Sequence, residues 1–214
     1  MASALTTVYL IRHGEVHNPR RILYGRLPGF RLSSNGLHQA REAGRALGKH
    51  RIDALFSSPL LRARQTAREI QRQTNHGDLH VSTFLHEVCT PYEGRPAEEV
   101  DAIDGDVYTG VPACFEQPGD VVARTRKLVW RLRKRYRGGK VAAVTHGDVI
   151  TFMVLWARQM ALTPGNKTRL MKAGFPVHYP AHASITTMVY HTLDPEERPK
   201  IDYLRPWSDP PEGG

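Results

Sequence analysis

The sequence predicts an α/β protein: a three-layer α/β/α sandwich built on a mostly parallel sheet, with a small cap insertion. Three observations carry that prediction. Short β-branched runs alternate with amphipathic helical stretches along the chain, the pattern of a parallel sheet with helices on both faces. At 214 residues, with 40% hydrophobic and 24% charged residues, there is apolar material for a buried core and no compositional case for disorder. No repeat of solenoid length and no linker divides the chain, so it reads as one domain over 1–214 with the cap at about 88–118.

The elements follow in order. Residues 7–11, Thr-Val-Tyr-Leu-Ile, form a buried strand that ends at Arg12-His13-Gly14. Residues 15–33 are rich in Pro, Gly and Arg and read as loop. Ser34 caps a helix to about residue 50, with Leu37, Ala40, Ala43, Ala46 and Leu47 at helical spacing on its inner face. Residues 54–57 are a second strand, and Ser58-Pro59 supplies a cap and a first-turn proline for a helix to about residue 74. A short third strand is expected at 79–83 and a short helix near 97–103. A long helix spans about 120–137 and stops at Gly138-Gly139. Residues 141–145 form a strand that runs into His146-Gly147 and a helix to about residue 160. Residues 183–190 alternate as a last strand, and a tail bearing Pro and Gly follows from Asp194.

Composition narrows the function classes. Cys89 and Cys114 are the only cysteines, too few for a disulfide framework or a Cys-rich zinc module, and they fit a reducing compartment. No apolar run reaches the length of a membrane span, and an Arg and a His interrupt the N-terminal stretch before it could serve as a signal core. A soluble, cytoplasmic protein is expected. The net charge is +9, and 23 of the 30 basic residues are Arg, the side chain suited to forked contacts with phosphate or carboxylate. Two classes remain: a polyanion-binding protein, or one that handles a small phosphorylated molecule in a pocket.

In an open α/β sheet, ligands collect beyond the carboxyl ends of the strands. Three strands deliver polar residues there: Arg12-His13-Gly14, then Ser57-Ser58-Pro59 with Arg62 in the following first helical turn, then Thr145-His146-Gly147 at a helix start. Two histidines and two arginines can therefore converge near helix N-termini, which receive anions. The glycine after each histidine removes a Cβ where backbone and ligand approach. Alone, a strand-end histidine or a first-turn arginine is more often structural, so the repeated strand-His-Gly pattern carries the argument.

These residues carry a resemblance. Leu10-Ile11-Arg12-His13-Gly14-Glu15 with Asn18 resembles the Arg-His-Gly signature of the histidine phosphatase superfamily, also called the phosphoglycerate mutase-like family. Gly25-Arg26-Leu27-Pro28-Gly29 with Leu32, Gly36 and Gln39-Ala40 is similar to the segment that follows it there. Ser57-Ser58-Pro59-Leu60-Leu61-Arg62-Ala63-Arg64-Gln65-Thr66-Ala67 resembles the family's second motif, Leu85-His86-Glu87 its acid-bearing loop, and Thr145-His146-Gly147 its last. Val16 follows Glu15, and Asn18 lies five positions past His13, both departures from the family pattern.

The resemblance implies that His13 is the nucleophile, that Arg12, Arg62 and His146 surround the phosphoryl oxygens, and that Glu87 is the general acid and base. It implies substrate contacts from Asn18, Arg26 and Gly147, and neither metal nor other cofactor. His182, in Ala181-His182-Ala183-Ser184, sits where relatives often have an Asn, which allows a supporting role beside the site, but an ordinary hydrogen-bonded loop histidine is the stronger reading. Only 59 positions separate Glu87 from His146, and a helix takes up much of them, which leaves a modest cap and favours hydrolysis over mutase-type phosphoryl transfer.

The expected partner is a small phosphorylated substrate, with no nucleic acid and no membrane, the protein being a monomer or a homodimer. Substrate choice is expected in the loop 20–31, where Arg20, Arg21, Arg26 and Arg31 could favour extra negative charge, and in the cap, whose Glu93, Glu98 and Glu99 point the other way. Two competing readings are weaker. The basic helix from Arg124 to Arg137 could lie on nucleic acid, although its apolar stripe at Val121, Thr125, Leu128, Leu132 and Tyr136 fits packing on a core. A zinc site is disfavoured because Thr90 stands where a His-Glu-x-x-His helix needs its second histidine, and His76 and His80 straddle Gly77-Asp78.

Overall fold

The central strands are apolar runs that bury both of their faces. In a computed structural model, which describes residues 6–74 and 77–208, β1 (Thr6–Arg12) runs through the middle of the sheet. There follow α1 (Ser34–Gly48), β2 (Ala54–Ser57), α2 (Leu61–Thr74) and β3 (Leu79–Val81). After them come α3 (Ala97–Asp101), α4 (Pro118–Arg135), β4 (Lys140–Thr145), α5 (Gly147–Ala157), α6 (Pro164–Lys167), β5 (Ile185–Tyr190) and β6 (Lys200–Leu204). The sheet order is β3-β2-β4-β1-β5-β6. The first four strands are parallel, while β5 runs antiparallel to β1 and β6 antiparallel to β5. The sheet is thus mixed, and its parallel part holds the strands that the sequence marks with His-Gly.

Strand alternation divides the core in two. Tyr9, Ile11, Leu55, Ala142 and Val144 face α1 and α2, where Ala43, Leu47, Ala63, Ala67 and Ile70 cover them. Val8, Leu10, Val141, Ala143 and Met188 face α4 and α5. Helix α5 is buried along its whole length, as a helix that is apolar on all sides must be.

Four local expectations are corrected. Ser33, not Ser34, caps α1: its extended backbone lets Oγ accept from Gly36 N at 2.9 Å. Pro59 lies ahead of α2 rather than in its first turn, and Ser58 Oγ turns to His146 instead of capping the helix. The tail holds β6, an edge strand whose alternation reduces to Ile201 and Tyr203 and is masked by the prolines around it. The 183–190 strand starts at Ile185, because Ala183 adopts a positive φ of 51° that ends the extended run.

The basic face of α4 is paired within the molecule in part, while Lys127, Arg131, Lys134 and Arg135 are exposed. Arg124 binds Glu116 and the Phe84 carbonyl, Arg126 binds Glu196 and the Pro195 carbonyl, and Arg133 binds Glu197. No helix among the described residues is long and apolar enough to cross a membrane.

Candidate active site

Register brings the two histidines together. β1 pairs with β4 so that Arg12 stands opposite Thr145, which makes His13 and His146 the next residues on adjacent strands. Their ring centroids lie 5.2 Å apart, and His13 N donates to Thr145 O at 3.0 Å. β2 lies on the other side of β4, so Ser58 reaches His146 Nε2 at 2.8 Å. Arg62, in the first turn of α2, has no exposed surface; its Nη2 donates to Gly25 O at 2.8 Å and lies 3.3 Å from His146 Nδ1.

His13 is held in one orientation. Nδ1 lies 2.8 Å from Gly14 O, and a carbonyl can only accept, so Nδ1 carries the proton and the Nε2 lone pair is left for chemistry. Burial, then the charges of Arg62 and Arg12, hold its pKa well below the ordinary imidazole value. A Cβ on Gly14 would overlap the Gly36 carbonyl, so glycine is required for α1 to pack beside the nucleophile. Arg12 Nη1 donates to Pro180 O at 2.6 Å, and its guanidinium stacks 5.0 Å over Tyr179. The Nε atoms of Arg12 and Arg62 are buried without a protein partner, donors suited to an anion.

Glu87 follows a 3-10 turn at Thr83–Leu85 and closes the cluster. Its Oε1 accepts from Val88 N at 2.9 Å, while Oε2 lies 3.4 Å from His146 Nδ1 and 3.8 Å from Arg62 Nη2. Burial first, and the Asp148 charge second, push its pKa above the usual carboxylate value, which favours the protonated form. His146 is neutral, its pKa depressed by burial and then by Arg62.

Ligand atoms of His13, Glu87 and His146 fall within 4.8 Å of one another, close enough to hold a cation. The donor set argues otherwise, since the guanidiniums of Arg12 and Arg62 bear on the same point and suit an anion. Of the other two histidines considered for zinc, His80 is on β3, and His76 lies outside the described residues.

Two expected substrate contacts are not brought to the cavity. Both groups of the Asn18 amide are engaged with the Ile22 backbone, at 2.9 and 3.3 Å, where they close the loop. Arg26 faces outward: Nε donates to Glu87 O at 2.8 Å and Nη2 pairs with Glu116 at 2.8 Å. With Arg124 on the far side of Glu116, it braces the segment that carries Glu87. Gly147 does line the cavity, and a Cβ there would collide with the Tyr179 hydroxyl.

The structure also brings to the site side chains that lie outside the matched motifs. Tyr24 packs under Arg62 at 4.6 Å and edge-on to His13. The His182 ring stands 5.8 Å from His13, and burial, then Arg12, lowers its pKa to about 3, so it is a neutral wall of the site rather than an ordinary loop residue. Asp148, Tyr108, Tyr179 and Lys167 form a further cluster at the first turn of α5.

A parallel-sheet α/β protein with a buried, neutral histidine ringed by cations at the strand ends belongs to the class that handles phosphoryl groups. Residues 8–186 match the sequence profile of the "Histidine phosphatase superfamily (branch 1)", and the chain belongs to that superfamily. An uncharacterized protein of Mycobacterium tuberculosis is 38% identical over 167 residues, 74% of this chain and 79% of that one. The uncharacterized phosphatase PhoE of Bacillus subtilis is 28% identical over 148 residues, 68% of this chain and 74% of that one. Among solved structures, the mycobacterial glucosyl-3-phosphoglycerate phosphatase superposes with a TM-score of 0.75 at 26% identity, covering 94% of this chain and 99% of that one.

Proposed function

We propose that the protein is a metal-independent phosphomonoester hydrolase that acts on a small phosphorylated metabolite through a phosphohistidine at His13. The observation that carries this reading is the fixed His13 tautomer, with Nε2 free and Arg12, Arg62 and His146 around it.

Nε2 attacks phosphorus, the P–N bond forms and the ester P–O bond breaks. Glu87, in its protonated form, gives its proton to the departing alkoxide, so the alcohol leaves neutral. Arg12 and Arg62 offset charge on the transferring oxygens; this chemistry needs mainly positioning and charge stabilisation. Water then enters where the alcohol stood. Glu87, now a carboxylate, takes its proton, the hydroxide attacks phosphorus and the P–N bond breaks. Inorganic phosphate is released, His13 is again neutral, and Glu87 is again protonated.

Hydrolysis is favoured over mutase-type transfer because about half of the chain between Glu87 and His146 forms α3, α4 and β4, and the remainder is a modest cap. Relatives named as phosphatases over most of the chain support it, while phosphoglycerate mutases match over shorter stretches. The test is a panel of phosphomonoesters assayed with EDTA present, for wild type and His13→Ala. Phosphate release that needs His13 and survives EDTA is expected. Retained activity in His13→Ala, or faster interconversion of 2- and 3-phosphoglycerate than phosphate release, would overturn it.

A further inference from the structure

Beyond the phosphoryl cage the cavity continues into a chamber, the two together enclosing about 170 Å³. Its sides are Leu23, Val88, Val100 and Val107, and its end is Lys167, Gly105, Asp148 and Tyr179. The alcohol of a phosphate ester bound at His13 would lie here, since Glu87, the acid that protonates it, lines the same cavity.

The polar groups at the end of the chamber are matched to one another. Asp148 accepts from the Tyr108 hydroxyl, from the Tyr179 hydroxyl at 2.5 Å and from Lys167 Nζ at 3.2 Å. Lys167 Nζ also donates to Gly105 O at 2.6 Å, so one of its three N–H bonds is left over. Outside the cage and Glu87, the charged residues that line the chamber are Lys167 and Asp148, and they neutralise each other. The arginines that could have brought a positive field are elsewhere. Arg26 is paired with Glu116, Arg20 and Arg21 lie against Pro96 and Glu98, and none of the three lines the chamber.

We propose that this chamber selects phosphomonoesters whose alcohol is compact and carries no charge of its own, with apolar faces against the three valines and at most a hydroxyl for the remaining Lys167 N–H. The proposal rests on the hydrolase reading above and deepens it to a substrate class. A carboxylate or second phosphate on the alcohol would sit beside Asp148 and apolar side chains with no unpaired cation to receive it. Such a like-charge, desolvated contact is strongly discriminating.

The experiment compares matched esters: glycerol 3-phosphate with 3-phosphoglycerate, and benzyl phosphate with its 4-carboxy derivative. In the wild type, the neutral member of each pair should have kcat/KM higher by about tenfold or more. Asp148→Asn leaves Lys167 unneutralised, so the neutral-to-anionic ratio should fall by about tenfold. The ratio is taken within one protein, so a general loss of activity in the variant cancels, and the wild-type ratio decides alone if the variant does not fold. Equal or better use of the anionic members by the wild type, or a ratio unchanged in Asp148→Asn, would overturn the selection while leaving the hydrolase reading intact. Phosphate release from none of the esters, or release that persists in His13→Ala, would instead remove the hydrolase reading and the selection with it.

Discussion

Replacing Glu87 with Gln tests the proton-transfer half of the mechanism with little structural cost. The side chain keeps its size, and its carbonyl oxygen can still accept from Val88 N, as Oε1 does at 2.9 Å. What is lost is the transferable proton, at a position 3.4 Å from His146 Nδ1 and 3.8 Å from Arg62 Nη2, beside the bond to be broken. A positioned general acid contributes roughly 10²–10⁴ in rate, which is about 2.7–5.4 kcal/mol of transition-state stabilisation. The assay is kcat/KM, which reports steps only through departure of the alcohol, for an alkyl phosphate and for 4-nitrophenyl phosphate. The alkyl ester needs its leaving oxygen protonated and should lose about two to four orders of magnitude. The nitrophenolate leaves unaided and should lose less than about tenfold. Equal losses for both esters would refute the assignment of Glu87 as the acid.

Other consequences can be measured in parallel. His13 is depressed below the imidazole value by burial and the arginines, so it stays unprotonated and nucleophilic below pH 6.5, whereas Glu87 is raised and loses its proton as pH climbs. Asp148→Asn removes a negative charge that raises the Glu87 pKa, so the alkaline limb of kcat/KM should move to lower pH, and an unmoved limb would count against that coupling. Gly147→Ala should cost at least about tenfold in kcat/KM with a smaller effect on folding, because the new methyl displaces Tyr179 from beside Arg12. Arg133→Ala removes a buried guanidinium that holds Glu197 and the Thr192 and Asp194 carbonyls. It should destabilise by about 3 kcal/mol, a Tm drop of about 6–12 °C in thermal melts at this size, without changing kcat of the folded protein.

The candidate site was legible where it was local. Strand, His and Gly are consecutive at 12–14 and 145–147, and the register of β1 with β4 then makes two sequence-distant motifs neighbours. A charge count could not distinguish Arg62, which has no exposed surface, from Arg26, which turns away to Glu116. The difference lies in which loop packs beneath which helix. The turn that holds the Asn18 amide was not legible either: local backbone and distant ligand compete for an Asn side chain, and here Ile22 engages it. The chamber was invisible for a further reason: Tyr108, Asp148, Lys167 and Tyr179 come from four separate segments and meet only through tertiary packing. The apolar stripe of α4 was legible, and Val121, Thr125, Leu128 and Leu132 are buried, but composition counts a paired arginine and a free one alike, so the ion pairs of Arg124, Arg126 and Arg133 were not.

The mechanism turns on a covalent intermediate at His13, which can be trapped. Enzyme mixed with a phosphomonoester, quenched in alkali within one turnover and digested for mass spectrometry should carry one acid-labile phosphoryl group on the peptide that contains His13. Glu87→Gln should accumulate more of it from 4-nitrophenyl phosphate, because hydrolysis of the intermediate also needs the carboxylate as base. A phosphoryl group on another residue, or none at any time during turnover, would contradict the account.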